Sequence, residues 1–185
     1  MRRVLLTFSL AFSMMLAACA DRQNCCPCEE GTKLSPDLLS LLASAKAYHQ
    51  KADLYLRQRQ HEKAAQEIEQ LLKLDLSSKW PEAEEVRLDA IARLAKMNLD
   101  AGKEGKALTL VDKGLESTSR ESFYLANLFG LKGEILEARV KRLDAAGDKA
   151  EARVAAKEAM VSLEACIAMN KRLQLRLQTP KGGLR

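Results

Sequence analysis

Apolar residues recur along most of this chain at three- and four-residue steps, the spacing that gathers them on one face of a helix. The first such run goes from Leu38 to about Gln58 through Leu38, Leu41, Leu42, Ala45, Tyr48, Ala52 and Tyr55. Ser35-Pro36-Asp37 precedes it and supplies an N-cap, a proline suited to the first helical position and an acid that suits the helix dipole. A second helix is predicted from His61 to about Lys73, with Ala64, Ala65, Ile68, Leu71 and Leu72 on one side. The polar junction at Arg59 and Gln60 is short, so the two helices should fold back as an antiparallel hairpin.

The pattern then repeats. After a loop at Asp75–Lys79, Pro81 opens a third helix with the stripe Val86, Leu88, Ile91, Leu94, Ala95 and Leu99, which Gly102 ends. A fourth runs from Glu104 to Glu116 through Ala107, Leu108, Leu110, Val111 and Leu115. The fifth and sixth are longer, about Glu121–Ala146 and Lys149–Leu175, and Gly147-Asp148 separates them. The sixth carries the stripe Ala152, Ala156, Ala159, Met160, Leu163, Cys166 and Ile167, a clean i, i+4, i+7, i+8 series. No period-two alternation of β-branched residues appears. The expectation is an all-α domain, residues 35–176, of three antiparallel hairpins with the last one elongated, followed by a flexible basic tail, 177–185.

The start of the chain has a different pattern. Arg2 and Arg3 precede fifteen uncharged residues, Val4–Ala18, and then Cys19. A basic start, a short apolar middle and small residues at a cut form a secretory signal, expected over 1–18. Fifteen residues fall short of the roughly 20 needed to span a bilayer. Residues 19–34 are polar and aperiodic, and read as a tether of at most about 50 Å.

Composition adds little to this. Helix-forming residues dominate, with four prolines and nine glycines in 185 residues. The formal charge of +5 includes the two arginines of the leader, and the small remaining excess is no signature of nucleic-acid binding. The chain contains no His-Glu-x-x-His, Gly-x-Ser-x-Gly or phosphate-binding loop. No enzymatic activity, cofactor, metal site or small-molecule substrate is predicted. Cys25, Cys26 and Cys28 form a thiol cluster with Cys-x-x-Cys spacing, open to disulfide pairing and short of the four ligands of a structural zinc site. Cys166 reads as a buried small hydrophobe.

Two resemblances follow from these residues. Leu16-Ala17-Ala18-Cys19 resembles the lipobox of bacterial lipoproteins, which implies diacylglycerol and N-acyl chains on Cys19 as the only attached groups. With Ala20 after the cysteine and Asp21 one later, it implies the outer membrane, facing the periplasm. Tyr48, Ala52, Tyr55, Ala64, Ile68 and Leu71 resemble a tetratricopeptide repeat (TPR), as do Ile91, Leu94, Ala95, Gly102, Ala107, Val111 and Leu115. Phe129, Gly133, Leu136, Ala159, Leu163, Cys166 and Ile167 resemble it more loosely.

The TPR resemblance implies a short solenoid and an inner binding surface for other proteins. By position that surface includes Lys46, His49 and Asp53, then Asp89, Ala92, Lys96 and Leu99, then Asn127, Gly130, Glu134 and Glu137. The function implied is a membrane-anchored scaffold for envelope proteins. A redox- or metal-active lipoprotein using the thiol cluster, and a structural spacer, are the alternatives.

Overall fold

The computed structural model describes residues 35–76 and 80–178. Cys19, the Cys25/Cys26/Cys28 cluster, the leader, the tether and residues 179–185 lie outside the described residues. Within them the chain forms six α-helices and no strand: α1 (Pro36–Arg57), α2 (His61–Leu71), α3 (Pro81–Asp100), α4 (Glu104–Glu116), α5 (Phe123–Ala146) and α6 (Lys149–Gln178). None of these helices is long and apolar enough to cross a membrane.

The helix boundaries have local causes. Ser35 caps α1, its Oγ accepting from Leu38 N–H at 3.1 Å, and Ser122 caps α5 by accepting from Leu125 N–H at 3.1 Å. Gly102 (φ +71°) and Gly147 (φ +83°) turn the chain in the left-handed region that favours glycine. Arg59 makes the same kind of turn between α1 and α2 at φ +58°, without a glycine's freedom. Asp148 then starts α6, its carboxylate accepting from Glu151 N–H at 3.2 Å.

Each helix packs on its neighbours along the chain. α1 pairs with α2, α3 with α4 and α5 with α6, while α3 also touches α1 and α2, and α5 also touches α3 and α4. α3 joins two apolar clusters. It gives Ala90 and Leu94 to one cluster, with Ala45, Ala52, Ala64, Ile68, Leu71 and Leu76. To the other it gives Leu88, Ile91, Ala92 and Ala95, which meet Ala107, Val111, Leu125, Leu128, Leu131, Ile135, Met169 and Leu173. Ile68, Leu71, Leu88, Leu128, Ile135 and Leu136 are fully buried, each worth about 1.5–3 kcal/mol of apolar transfer.

α6 departs from its expected face. Its buried positions are Ala152, Ala155, Ala159, Ser162, Met169 and Leu173, whereas Met160, Leu163 and Ile167 are about half exposed. The cause lies on α5. Gly133 is so close to α6 that a Cβ there would stand 2.6 Å from Leu163 Cγ, and one at Gly130 would stand 3.4 Å from Cys166 Sγ. Leu163 leans over the bare backbone of Gly133 at the edge of this seam while Ala152, Ala155, Ala159 and Ser162 are buried, so Met160 and Ile167 are left on the flank. Cys166 is partly exposed beside the seam rather than buried. α6 also extends to Gln178, three residues past its expected end at Leu175 and into the stretch expected to be a flexible tail.

One loop contact crosses between helices. Glu84, in the first turn of α3, is buried, and Arg120 reaches it from the α4–α5 loop, Nε to Oε2 at 3.0 Å. Arg120 also donates to the Pro81 carbonyl at 2.8 Å. Burial pushes the Glu84 carboxyl up, but hydrogen bonding to Thr118 and Arg120 and the charges of Arg120 and Arg87 outweigh it and hold it below the usual carboxylate range. Arg120 thereby closes the end of α3 against the loop that leads into α5.

Candidate interaction surface

The positions expected to line an inner surface fall on α1, α3 and α5, and several of them meet. His49 Nε2 on α1 lies 3.5 Å from Asp89 Oδ2 on α3. Its other ring nitrogen, Nδ1, lies 3.1 Å from Arg93 Nη1. A guanidinium only donates, so Nδ1 is the acceptor and the neutral ring carries its proton on Nε2, toward Asp89. Arg93 also pairs with Asp53 of α1. Lys96 of α3 pairs with Glu134 of α5, and with Asp100 on its own helix at 3.4 Å.

Burial lowers the His49 pKa most; Arg93 lowers it further, while Asp89 and Asp53 oppose both. The Lys96 ammonium is held above its ordinary range, chiefly by its hydrogen bond to Glu134. Lys46 and Asn127 are exposed. Between α3 and α5 a depression of about 420 Å³ is lined by Asp89, Ala92, Arg93, Lys96, Asn127, Gly130, Leu131 and Glu134. Seven of the expected positions, Asp89, Ala92, Lys96, Asn127, Gly130, Glu134 and their neighbour His49, therefore lie on or beside one surface.

Sequence reasoning missed Arg93, which bridges His49 and Asp53. The available signal was its place one helical turn after Asp89, on the face already assigned to α3. The charges on this surface largely satisfy one another across helices. A polar ligand must displace Arg93–Asp53 or Lys96–Glu134 before it gains a contact. Exposed pairs of this kind contribute about 0–1 kcal/mol each, so that competition is inexpensive. Both ring nitrogens of His49 thus have a partner on α3, Asp89 at Nε2 and Arg93 at Nδ1.

A second depression, about 360 Å³, lies where α2, α3 and α4 meet and includes Glu69, Asn98, Lys106 and Thr109. Asn98 donates to the Leu94 carbonyl and Thr109 to the Gly105 carbonyl, both on their own helices. Each thus spends a donor along its own helix. No family model matches the chain, and no curated protein or solved structure matches it.

Proposed function

We propose that this protein is a lipid-anchored interaction scaffold of the bacterial envelope, built as a short TPR-like solenoid. The observation that carries the reading is the order of packing. The first helix of each later hairpin, α3 and then α5, sits against both helices of the hairpin before it. A small buried residue recurs on each helix of every hairpin: Ala52 and Ala64, then Ala95 and Ala107, then Gly133 and Ala159. α5 and α6, at 24 and 30 residues, make the third hairpin the longest. In this reading the surface shared by α1, α3 and α5 faces partner proteins of the envelope rather than nucleic acid or a small substrate.

The anchor rests on Leu16-Ala17-Ala18-Cys19. Two or three acyl chains on Cys19 hold a protein at a membrane essentially permanently, since each buried methylene adds about 0.8 kcal/mol. The tether keeps the helices within about 50 Å of the outer membrane's periplasmic face.

Crosslinking of the full chain in its native membrane, followed by identification of its neighbours, tests both parts. Cys19→Ser should release the protein from the membrane with its helicity unchanged. Reversing charge at Lys46, Asp53, Asp89 and Lys96 should change the set of crosslinked envelope proteins. Persistent membrane attachment after signal cleavage of the Cys19→Ser variant refutes the anchor. An unchanged neighbour set in the charge-reversed variant refutes partner binding on that surface.

A further inference from the structure

The flank of α6 exposes Met160 (56%), Leu163 (43%) and Ile167 (54%). With Ala156 they lie within an arc of about 60° at 100° per residue. Leu163 overlies Gly133, so this stripe borders the face of α5 that carries Gly130, Glu134 and Glu137. On the side of the stripe away from the α5 seam, helical phase places Arg153, Lys157 and Lys171, with Glu164 as the acid among them. All three bases are exposed, and none forms an ion pair among the described residues. The acids of α5, in contrast, are engaged: Glu134 with Lys96, and Glu137 with Lys141 at 2.7 Å.

We propose that this stripe docks one amphipathic helix of a partner protein, whose apolar residues follow an i, i+3, i+7 spacing and whose flank over α6 is acidic. The proposal rests on the scaffold reading above and places a second contact surface beside the charged one on α1, α3 and α5. The apolar stripe supplies the anchoring positions that helix-in-groove recognition uses. The unpaired bases supply the orientation, since carboxylates on one flank of the incoming helix meet them only in one direction.

Charge disfavours the other occupants. A two-fold antiparallel pairing of α6 with a second copy, centred near Leu163, would oppose Lys157 to Lys171 and Glu164 to itself. A bilayer surface rich in anionic lipid would meet Glu164 within the basic flank.

The test is selection of displayed 20-residue helices on the purified full chain, with an apolar i, i+3, i+7 spine fixed and the flanks randomised among Asp, Glu, Lys, Arg and Ser. Selected helices should be enriched in Asp and Glu on one flank. Met160→Glu/Ile167→Glu, and the milder Met160→Ser/Ile167→Ser, should weaken them at least tenfold and about threefold, with helicity unchanged. Arg153→Glu/Lys157→Glu/Lys171→Glu should turn the selection toward Lys and Arg.

The proposal is overturned by any of four results: no enriched helix, enrichment without charge preference, binding unaffected by the Met160/Ile167 variants, or an unmoved preference in the triple variant. Two parallel measurements separate the other occupants. A dimer that dissociates in Met160→Glu/Ile167→Glu assigns the stripe to self-association. Sedimentation with phosphatidylglycerol vesicles that the same variant abolishes assigns it to the membrane. Either outcome also refutes the proposal. If crosslinked envelope neighbours persist while helix selection fails, only this docking site is refuted and the scaffold reading stands.

Discussion

Leu163 rests on Gly133: its Cγ and Cδ2 both stand 2.6 Å from where a Cβ on that glycine would be. Gly114 of α4 is similarly crowded, 2.8 Å from Leu128 Cδ1 and 3.1 Å from Ile91 Cγ2. The two sites differ in what can yield. Leu163 is half exposed and can turn toward solvent, whereas Leu128 is fully buried and Ile91 nearly so. Alanine gains about 0.5–1 kcal/mol over glycine inside a helix, and overpacking a core costs about 1–3 kcal/mol. Gly114→Ala should therefore lose about 1–2 kcal/mol in urea unfolding, and Gly133→Ala should stay within about 1 kcal/mol of the parent. Equal losses at the two sites would show that the α5–α6 seam is as rigid as the core.

Arg120 compensates a carboxylate that is removed from water. Cutting one partner from a buried pair costs about 3–5 kcal/mol; with Arg120 38% exposed on its side chain, about 1–3 kcal/mol is expected for Arg120→Met. The loss should depend on pH. The Glu84 carboxyl is held below 4.5, so its contribution is full above that value and disappears as pH falls through the folded-state pKa. The difference between parent and variant should shrink in acid. A constant difference from pH 7 to pH 3 would assign the loss to side-chain packing instead.

His49 has the opposite pH dependence from a histidine that gains an acidic partner. Its folded-state pKa lies below 6.5, so both states are neutral above that value and no penalty applies. As pH falls past 6.5 the unfolded chain takes up the proton first, and stability declines until the folded pKa is reached. Thermal midpoints from pH 8 to pH 5.5 should fall for the parent and stay flatter for His49→Gln. A parent curve that rises on acidification would mean that Asp89 and Asp53 outweigh burial.

Arg59 adopts left-handed backbone at φ +58° where glycine would do so without steric cost. Left-handed geometry costs an L-residue about 1–2 kcal/mol, part of which glycine returns through its freer unfolded chain. Arg59→Gly should stabilise the protein by about 0.5–1 kcal/mol in urea unfolding. A destabilised variant would show that the Arg59 side chain contributes more than its backbone costs.

Most helix boundaries were legible because they depend on single residues: Ser35 with Pro36, Pro81, Gly102 and Gly147. The face of α6 was not. Hydropathy favours large apolar residues, so Met160, Leu163 and Ile167 outweighed Ala155 and Ser162 in the pattern. The true seam is chosen by closeness, through Gly130 and Gly133 on another helix. Glu84–Arg120 was also hidden, since the partners lie 36 residues apart in a helix start and a loop. That Asp89 and Lys96, or Asn127 and Glu134, share one side of their helices follows from helical phase, whereas the choice of that side came from the repeat resemblance. Their pairing with one another was not legible, because it requires the distances between helices.

Every packed pair of helices is a first or second neighbour along the chain, with α1 reaching no farther than α3 and α3 no farther than α5. Among the described residues the widest closure by an ion pair, Arg176 with Glu121 at 55 residues apart, is made at the base of the α5–α6 hairpin. Proteins with such low contact order fold in microseconds to milliseconds. The order can also run with the direction of synthesis: α1 and α2 can close first, α3 and α4 can settle on them, and the α5–α6 hairpin can follow. If the chain is exported as proposed above, it can thus cover each apolar face as it leaves the translocation pore, without waiting for its last residues.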